Sequence, residues 1–466
     1  MVTRTLTADT IVQALARRPE IAGWTLTRRR RHGTQLYVIG RDVENTREVT
    51  TEDFTITVFH DHPWPVGRET GTAGHARGVS SVKLVPGDTA HLESRLDEVI
   101  MMASLVHNPA YELPSPETLP NVALSDPLIT ALDGTRRAVW EMAEEVWEAC
   151  DREASTGVRL SAGEFFVTVS DREFRTSKGI HASSETTHVA VEIALLARGD
   201  SDDPTLEAET FRPVEARRVV DLRLASQVAE ASRFARDTLR AHPTETRDGP
   251  VVVSGSALPP FFDPFVFHSG AQAAYMKLSR FTPDHSVFGD HAMTGDPLHV
   301  SSHALRPFGL SSHSFDGDGV PGRDTDLIVG GTLFARHATS RYAQYLGVPV
   351  TGEPGAVVVR AGTTPLAKLL RDSGGPVVEI VAFSSPNVDD ITGDVGCEIR
   401  LGYEHLPNGD VRPIKGGALA GNVFDAFASV RFSQETQEAL ISGFGGGGVY
   451  VGPRGARFKG MRVAGG

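Results

Sequence analysis

Apolar positions recur along this chain with two different periods, and the change between them divides it. Residues 54–59, Phe54-Thr55-Ile56-Thr57-Val58-Phe59, alternate apolar and polar, which predicts a strand with one buried face. Residues 164–169 and 188–196 read the same way, and a short helix is expected near 8–16. Three longer helices show the 3.6-residue period. Leu92, Leu96, Val99, Ile100, Ala103 and Val106 share one face, with Asp88 as N-cap and Pro109 barring continuation. Val139, Met142, Ala143, Val146 and Cys150 line a second helix; Val220, Leu224, Val228, Ala231, Ala235 and Leu239 line a third. After residues 240–250, which hold His242-Pro243-Thr244 and Asp248-Gly249-Pro250, long helices cease and short runs such as Val377-Val378-Glu379-Ile380-Val381 take over. The fold class expected is α+β: an N-terminal mixed α/β domain with long helices over 1–245 and a C-terminal β-rich domain over 246–466.

At 466 residues the chain exceeds what one hydrophobic core usually organises, which agrees with two domains. No run approaches the roughly 18 apolar residues of a membrane span, and residues 1–5 enter polar sequence without a signal-peptide core, so a cytoplasmic protein is expected. Cys150 and Cys397 stand far apart, in no disulfide or zinc spacing. The net charge is −13 and the one compact basic run is Arg28-Arg29-Arg30-Arg31, which argues against nucleic acid as a partner; the run is expected to rim a strand end.

Several segments invite a chemical reading. Gly443-Phe444-Gly445-Gly446-Gly447-Gly448 satisfies G-x-G-x-x-G, but a nucleotide fingerprint needs a βαβ unit after it, and a flexible loop is expected instead. Asp316-Gly317-Asp318-Gly319 opens like a calcium loop without the acidic positions that complete one, so a turn is expected. His285, His291, His299, His303 and His313 crowd near Asp284, Asp290 and Asp296, a donor set suited to zinc, yet Gly289, Gly295, Pro297 and Pro307 prevent one helix from aligning them. Ser254-Gly255-Ser256 lacks the glycines of a nucleophile elbow, and Cys397 has no signature of activation.

Read together, the fragments of the second half resemble the TldD/PmbA family. Ser314-Phe315-Asp316-Gly317-Asp318-Gly319-Val320-Pro321 is similar to that family's F-D-x-E-G-x-P segment. Leu327-Ile328-Val329-Gly330-Gly331-Thr332-Leu333, Thr392-Gly393-Asp394, Gly421-Asn422 and Gly460-Met461-Arg462-Val463-Ala464-Gly465 follow in family order. In the first half, Arg77-Gly78 and Asn108-Pro109-Ala110-Tyr111-Glu112-Leu113 resemble family segments. Phe315, Asp316, Gly319, Gly393, Gly421 and Asn422 are thus candidate structural or substrate-binding positions, with Gly319, Gly352, Gly393 and Gly421 expected at turns of positive φ and Asp316 and Asn422 as turn caps.

The resemblance implies a peptidase whose active branch holds zinc on an H-E-x-x-x-H helix and a distant cysteine, the glutamate activating a metal-bound water. The matching stretch here is Phe267-His268-Ser269-Gly270-Ala271-Gln272-Ala273, so Ser269 stands at the base and Ala273 at the second ligand. Ser442-Gly443-Phe444 occupies the cysteine's neighbourhood. The expectation is a TldE-like subunit with no metal of its own, paired with a zinc-bearing TldD-like subunit or with a second copy, acting on unfolded peptides. The alternative is a stand-alone metal hydrolase built on His285, His291, His299 and His303.

Overall fold

The computed structural model describes residues 5–63, 75–199, 206–371, 375–441 and 448–466. Strands β1 (Gly23–Ile39), β2 (Asp42–Pro63), β3 (His75–Leu84), β4 (Asn108–Pro109), β5 (Val158–Thr176), β6 (His181–Arg198) and β7 (Glu207–Ala216) form one sheet in the order β4-β3-β2-β1-β5-β6-β7. Every neighbouring pair is antiparallel. The alternation in β2 does what its pattern requires: Phe54, Ile56 and Val58 turn inward and meet helices α1 (Ala8–Leu15) and α2 (Leu92–Ser104). Thr7 caps α1 by accepting from the amide of Thr10.

Beyond the short α3 (Pro127–Thr130), α4 (Gly134–Glu153) buries Val139, Met142, Ala143 and Val146 against β5 and β1. α6 (Leu224–Leu239) packs beside it through Val228, Ala231 and Ala235.

Three expectations are corrected at this level. Asp88 does not cap α2; it lies in a 3₁₀ turn (Pro86–His91), where its carboxylate accepts from the amide of Val85. The third helix is broken: α5 (Val219–Leu222) ends at Arg223, whose left-handed backbone (φ 50) turns Val220 out to solvent and brings Leu222 into the core instead. The arginine run lies inside β1, not at a strand end. It is tolerated there because four of its cross-strand neighbours are acidic, although Arg29 also faces Arg172: Arg29 faces Asp53, Arg30 faces Glu52 and Asp171, Arg28 faces Glu173, and Arg28 Nε donates to Glu52 at 2.6 Å.

From residue 242 onward the chain builds a ten-stranded and a six-stranded sheet around one aromatic core that includes Phe261, Phe262, Phe265, Phe427, Phe432, Tyr450 and Phe458. Phe262 stacks on Tyr450 at 5.1 Å and meets Phe427 edge-on at 5.3 Å, the geometries that aromatic quadrupoles favour. The turn-rich stretch after α6 contributes two short strands, His242–Pro243 and Arg247–Asp248, to the ten-stranded sheet. Mixed helix and strand content in this arrangement makes the fold α+β. Among the described residues no helix is long and apolar enough to cross a membrane.

The halves meet through buried polar contacts as well as apolar ones. Arg217 is buried and donates to the carbonyls of Leu124, Thr187, Gly309, Leu310 and Ser312. Arg172 lies 4.6 Å over the Phe315 ring and donates to the carbonyl of Asp316 at 2.7 Å.

Candidate functional site

The segment resembling the zinc helix is two helices rather than one. α7 (Asp263–Ser269) starts with Pro264 in its first turn, where the missing N–H costs nothing, and stops at Gly270, whose ψ of 137° is extended. α8 (Ala271–Tyr275) begins after it. His268 and Ala273 therefore stand on different helices, and the face that a continuous helix would present is absent.

His268 is fully buried. Its Nδ1 accepts from the amide of Arg280 at 3.1 Å, which leaves Nε2 to carry the proton and donate to the carbonyl of Ile391 at 2.9 Å. Phe281 and Phe424 flank the ring at 5.0 and 5.4 Å. Burial holds the imidazole below the ordinary histidine range, and Arg280 and Arg336 push the same way. Arg336 also donates to the carbonyl of His268 at 2.9 Å. The Ser269 hydroxyl donates to the carbonyl of Phe265 at 2.8 Å, and Ala273 offers a methyl group. Both imidazole nitrogens are spent, and neither Ser269 nor Ala273 can supply the base or the ligand of a zinc site. The residues present do not fit the metal. The neighbourhood of the family cysteine, Ser442-Gly443-Phe444, and the glycine run up to Gly447 lie outside the described residues.

Two more of the positions singled out by sequence belong to the same place. The Thr392-Gly393 turn beneath His268 is held by Asn422, whose amide donates to the carbonyl of Thr392 at 2.8 Å and whose oxygen accepts from the amide of Phe424 at 3.0 Å. Gly393 has φ 76 and its absent Cβ would stand 2.5 Å from Phe424, so only glycine fits. His268, Gly393 and Asn422 thus fix one loop, residues 389–394. Gly421 departs from the expectation: it is nearly extended (φ 159) inside the strand Ala418–Asn422, opposite Val395.

Phe315, Asp316 and Gly319 stand elsewhere, against the first sheet. Phe315 packs with Phe174 and Ile180. Asp316 Oδ1 accepts from the amides of Asp318 and Val320, which closes its own loop, and Oδ2 accepts from that of Glu353, which ties the loop to the turn at Gly352. Gly319 (φ 85) and Gly352 (φ 80) complete the turns around it.

The histidine-rich stretch does not converge. His285 faces the carbonyl of Pro283, His291 lies 3.2 Å from Asp425, and His303 lies 3.6 Å from Asp324. His299 accepts from Arg360 at 3.1 Å, and His313 turns to the carbonyl of Ser311. Among the described residues no three His, Cys, Asp or Glu side chains gather in a metal-holding group. The buried Ser254 hydroxyl donates to Glu379 at 2.6 Å, not to a histidine, and burial pushes the Cys397 thiol up.

Sequence reasoning passed over Asp263 at the head of α7. Burial pushes its carboxyl up to about 7, with Asp390 adding to the shift, so a carboxyl that titrates near neutrality accompanies His268 on one short helix. Its signal was an acid in the first turn of a helix, which ordinarily marks only a favourable dipole contact.

Comparisons with known proteins agree with this anatomy. Residues 246–465 match the PmbA/TldA metallopeptidase C-terminal domain, which supports the TldD/PmbA resemblance for this part of the chain. The whole chain shares its fold with TldE from Thermococcus kodakarensis, at TM-score 0.75 and 14% identity, covering 98% of this chain and 99% of that one. A protein described as a candidate modulator of DNA gyrase from Thermotoga maritima matches at TM-score 0.76 and 15% identity, over 98% and 100% of the two chains. A similarly described protein from Bacteroides thetaiotaomicron gives 0.76 and 14%, over 98% of each. No curated protein matches the chain by sequence.

Proposed function

We propose that this chain is the metal-free, TldE-like subunit of a cytoplasmic two-subunit peptidase, whose TldD-like partner carries the zinc and cuts unfolded or modified peptides. The observation that carries this reading is the double use of His268: one nitrogen accepts from Arg280 and the other donates to Ile391, on a helix that ends before Ala273. A fold kept over its full length without the groups that activate water supports a role in shaping and closing a shared chamber. The similarity to a solved TldE supports the same branch.

Two measurements test the reading. Elemental analysis of the purified chain should find well under one zinc per chain. Size-exclusion chromatography with light scattering should show a stable dimer, with a TldD-like subunit or with a second copy, through an interface above roughly 2,000 Å². One tightly held metal per chain, or a monomer at micromolar concentration that ignores the partner, contradicts it.

A further inference from the structure

Where the free edge of the first sheet approaches the second half, the structure holds a cavity of about 230 Å³ built from residues other than His268 and its partners. Its apolar walls include Phe211, Phe234, Phe383 and Leu401, and two guanidinium groups, those of Arg212 and Arg400, reach it. Arg212 is held on one side: it pairs with Glu230 through Nη2 and lies 5.7 Å over the Phe234 ring, with 12% of its side chain exposed. Its Nε is shut off from solvent and has no hydrogen-bond partner among the described residues. Arg400 is anchored by Nη2 to the carbonyl of Glu209 at 2.9 Å, with its guanidinium 6.0 Å from the Phe211 ring.

A planar guanidinium fixed at one corner, as Arg400 is at the Glu209 carbonyl, presents its remaining donors in the fork that matches a carboxylate. The charge count points the same way. Glu230 is shared among Arg212, Arg233 and Arg454, so it does not neutralise Arg212 alone, and the surroundings of the cavity keep a positive balance that favours an anion. The aromatic walls reward an apolar substituent beside that charge.

We propose that this cavity binds an organic carboxylate bearing a short apolar substituent, as presented by the C-terminal residue of a peptide or by a free acyl amino acid. The carboxylate sits between Arg212 and Arg400, and the substituent lies on Phe234, Phe383 and Leu401. The site needs no metal and no second subunit, so it stands or falls separately from the pairing proposed above.

Calorimetric titration of the full chain with N-acetyl-leucine, N-acetyl-leucinamide, acetate and inorganic phosphate tests it. The free acid should bind saturably, the amide at least tenfold more weakly, and acetate and phosphate more weakly still. Arg400→Gln should lose at least tenfold in affinity while melting at the temperature of the unaltered chain, and Arg212→Lys provides a second variant that keeps the charge and loses the fork. A leucine-ended peptide with a free carboxylate binding as tightly as N-acetyl-leucine assigns the site to peptide ends; binding of the acyl amino acid alone assigns it to small acids, and either result supports the chemistry. Equal binding of acid and amide, tighter binding of phosphate, binding unaffected in both variants, or no heat from any probe overturns it.

Discussion

His268 Nε2 donates to the carbonyl of Ile391 at 2.9 Å while its Nδ1 accepts from the amide of Arg280, so one imidazole ties α7 to the 389–394 loop and to the strand of chain that follows α8. The same side chain that would ligate a metal in an intact motif is here a structural strut.

The first consequence concerns protonation. An unfolded histidine titrates near about 6.5, and burial holds His268 below that. Between those two values the unfolded chain binds the extra proton, so the strut's contribution is complete above about pH 6.5 and is lost as pH falls through the folded value. NMR titration of the imidazole should show His268 taking up its proton at lower pH than a histidine of the unfolded chain; titration at or above the ordinary histidine value contradicts the assignment.

Removing the ring should be costly. His268→Ala leaves the Arg280 amide and the Ile391 carbonyl unpaired beside a cavity walled by Phe281 and Phe424, and a loss of about 2–4 kcal/mol is expected in chemical denaturation. A change below about 0.5 kcal/mol would show that the contact is dispensable.

Asp318 should behave in the opposite sense to His268. Burial, with Asp316 and Glu353 adding, pushes its carboxyl up to about 6, above the roughly 3.9 of an unfolded aspartate. The folded state therefore holds the proton more tightly, and stability falls as pH rises from about 4 to 6. Asp318→Asn keeps the shape without the charge, so it should melt higher than the unaltered chain at pH 8 and nearly level with it at pH 4. Equal melting at pH 8 contradicts the expectation.

Arg217 reports on how the halves are joined. Burial pushes its guanidinium down to about 10, and five carbonyls compensate the buried charge. Arg217→Met leaves those carbonyls unpaired and should cost about 3–5 kcal/mol, with faster limited proteolysis between residues 305 and 313. An unchanged cleavage pattern would place the coupling elsewhere.

What the sequence made legible follows from range. The inward face of α4, with Val139, Met142 and Val146, is local periodicity and is found where expected. Val220 misled because it keeps the helical spacing, and only the left-handed backbone at Arg223 breaks the register. The arginine run in β1 looked like a strand end because its acidic partners on β2 and β5 are distant in the chain. Ser269 and Ala273 at the base and ligand positions of the motif were readable residue by residue, but the Arg280 and Ile391 contacts that occupy His268 depend on tertiary closure. The same holds for Arg212 and Arg400, which share a cavity although no spacing in the chain relates them.

Cleavage of an unfolded peptide, followed by mass spectrometry with this chain alone, with the proposed TldD-like partner alone and with the two mixed in equal amounts, tests the account most directly. The account expects no cleavage by this chain at any zinc concentration, and cleavage in the mixture that is abolished when the partner's zinc helix is mutated. Cleavage by this chain alone, lost when His268, His285 or His291 is changed, would contradict it.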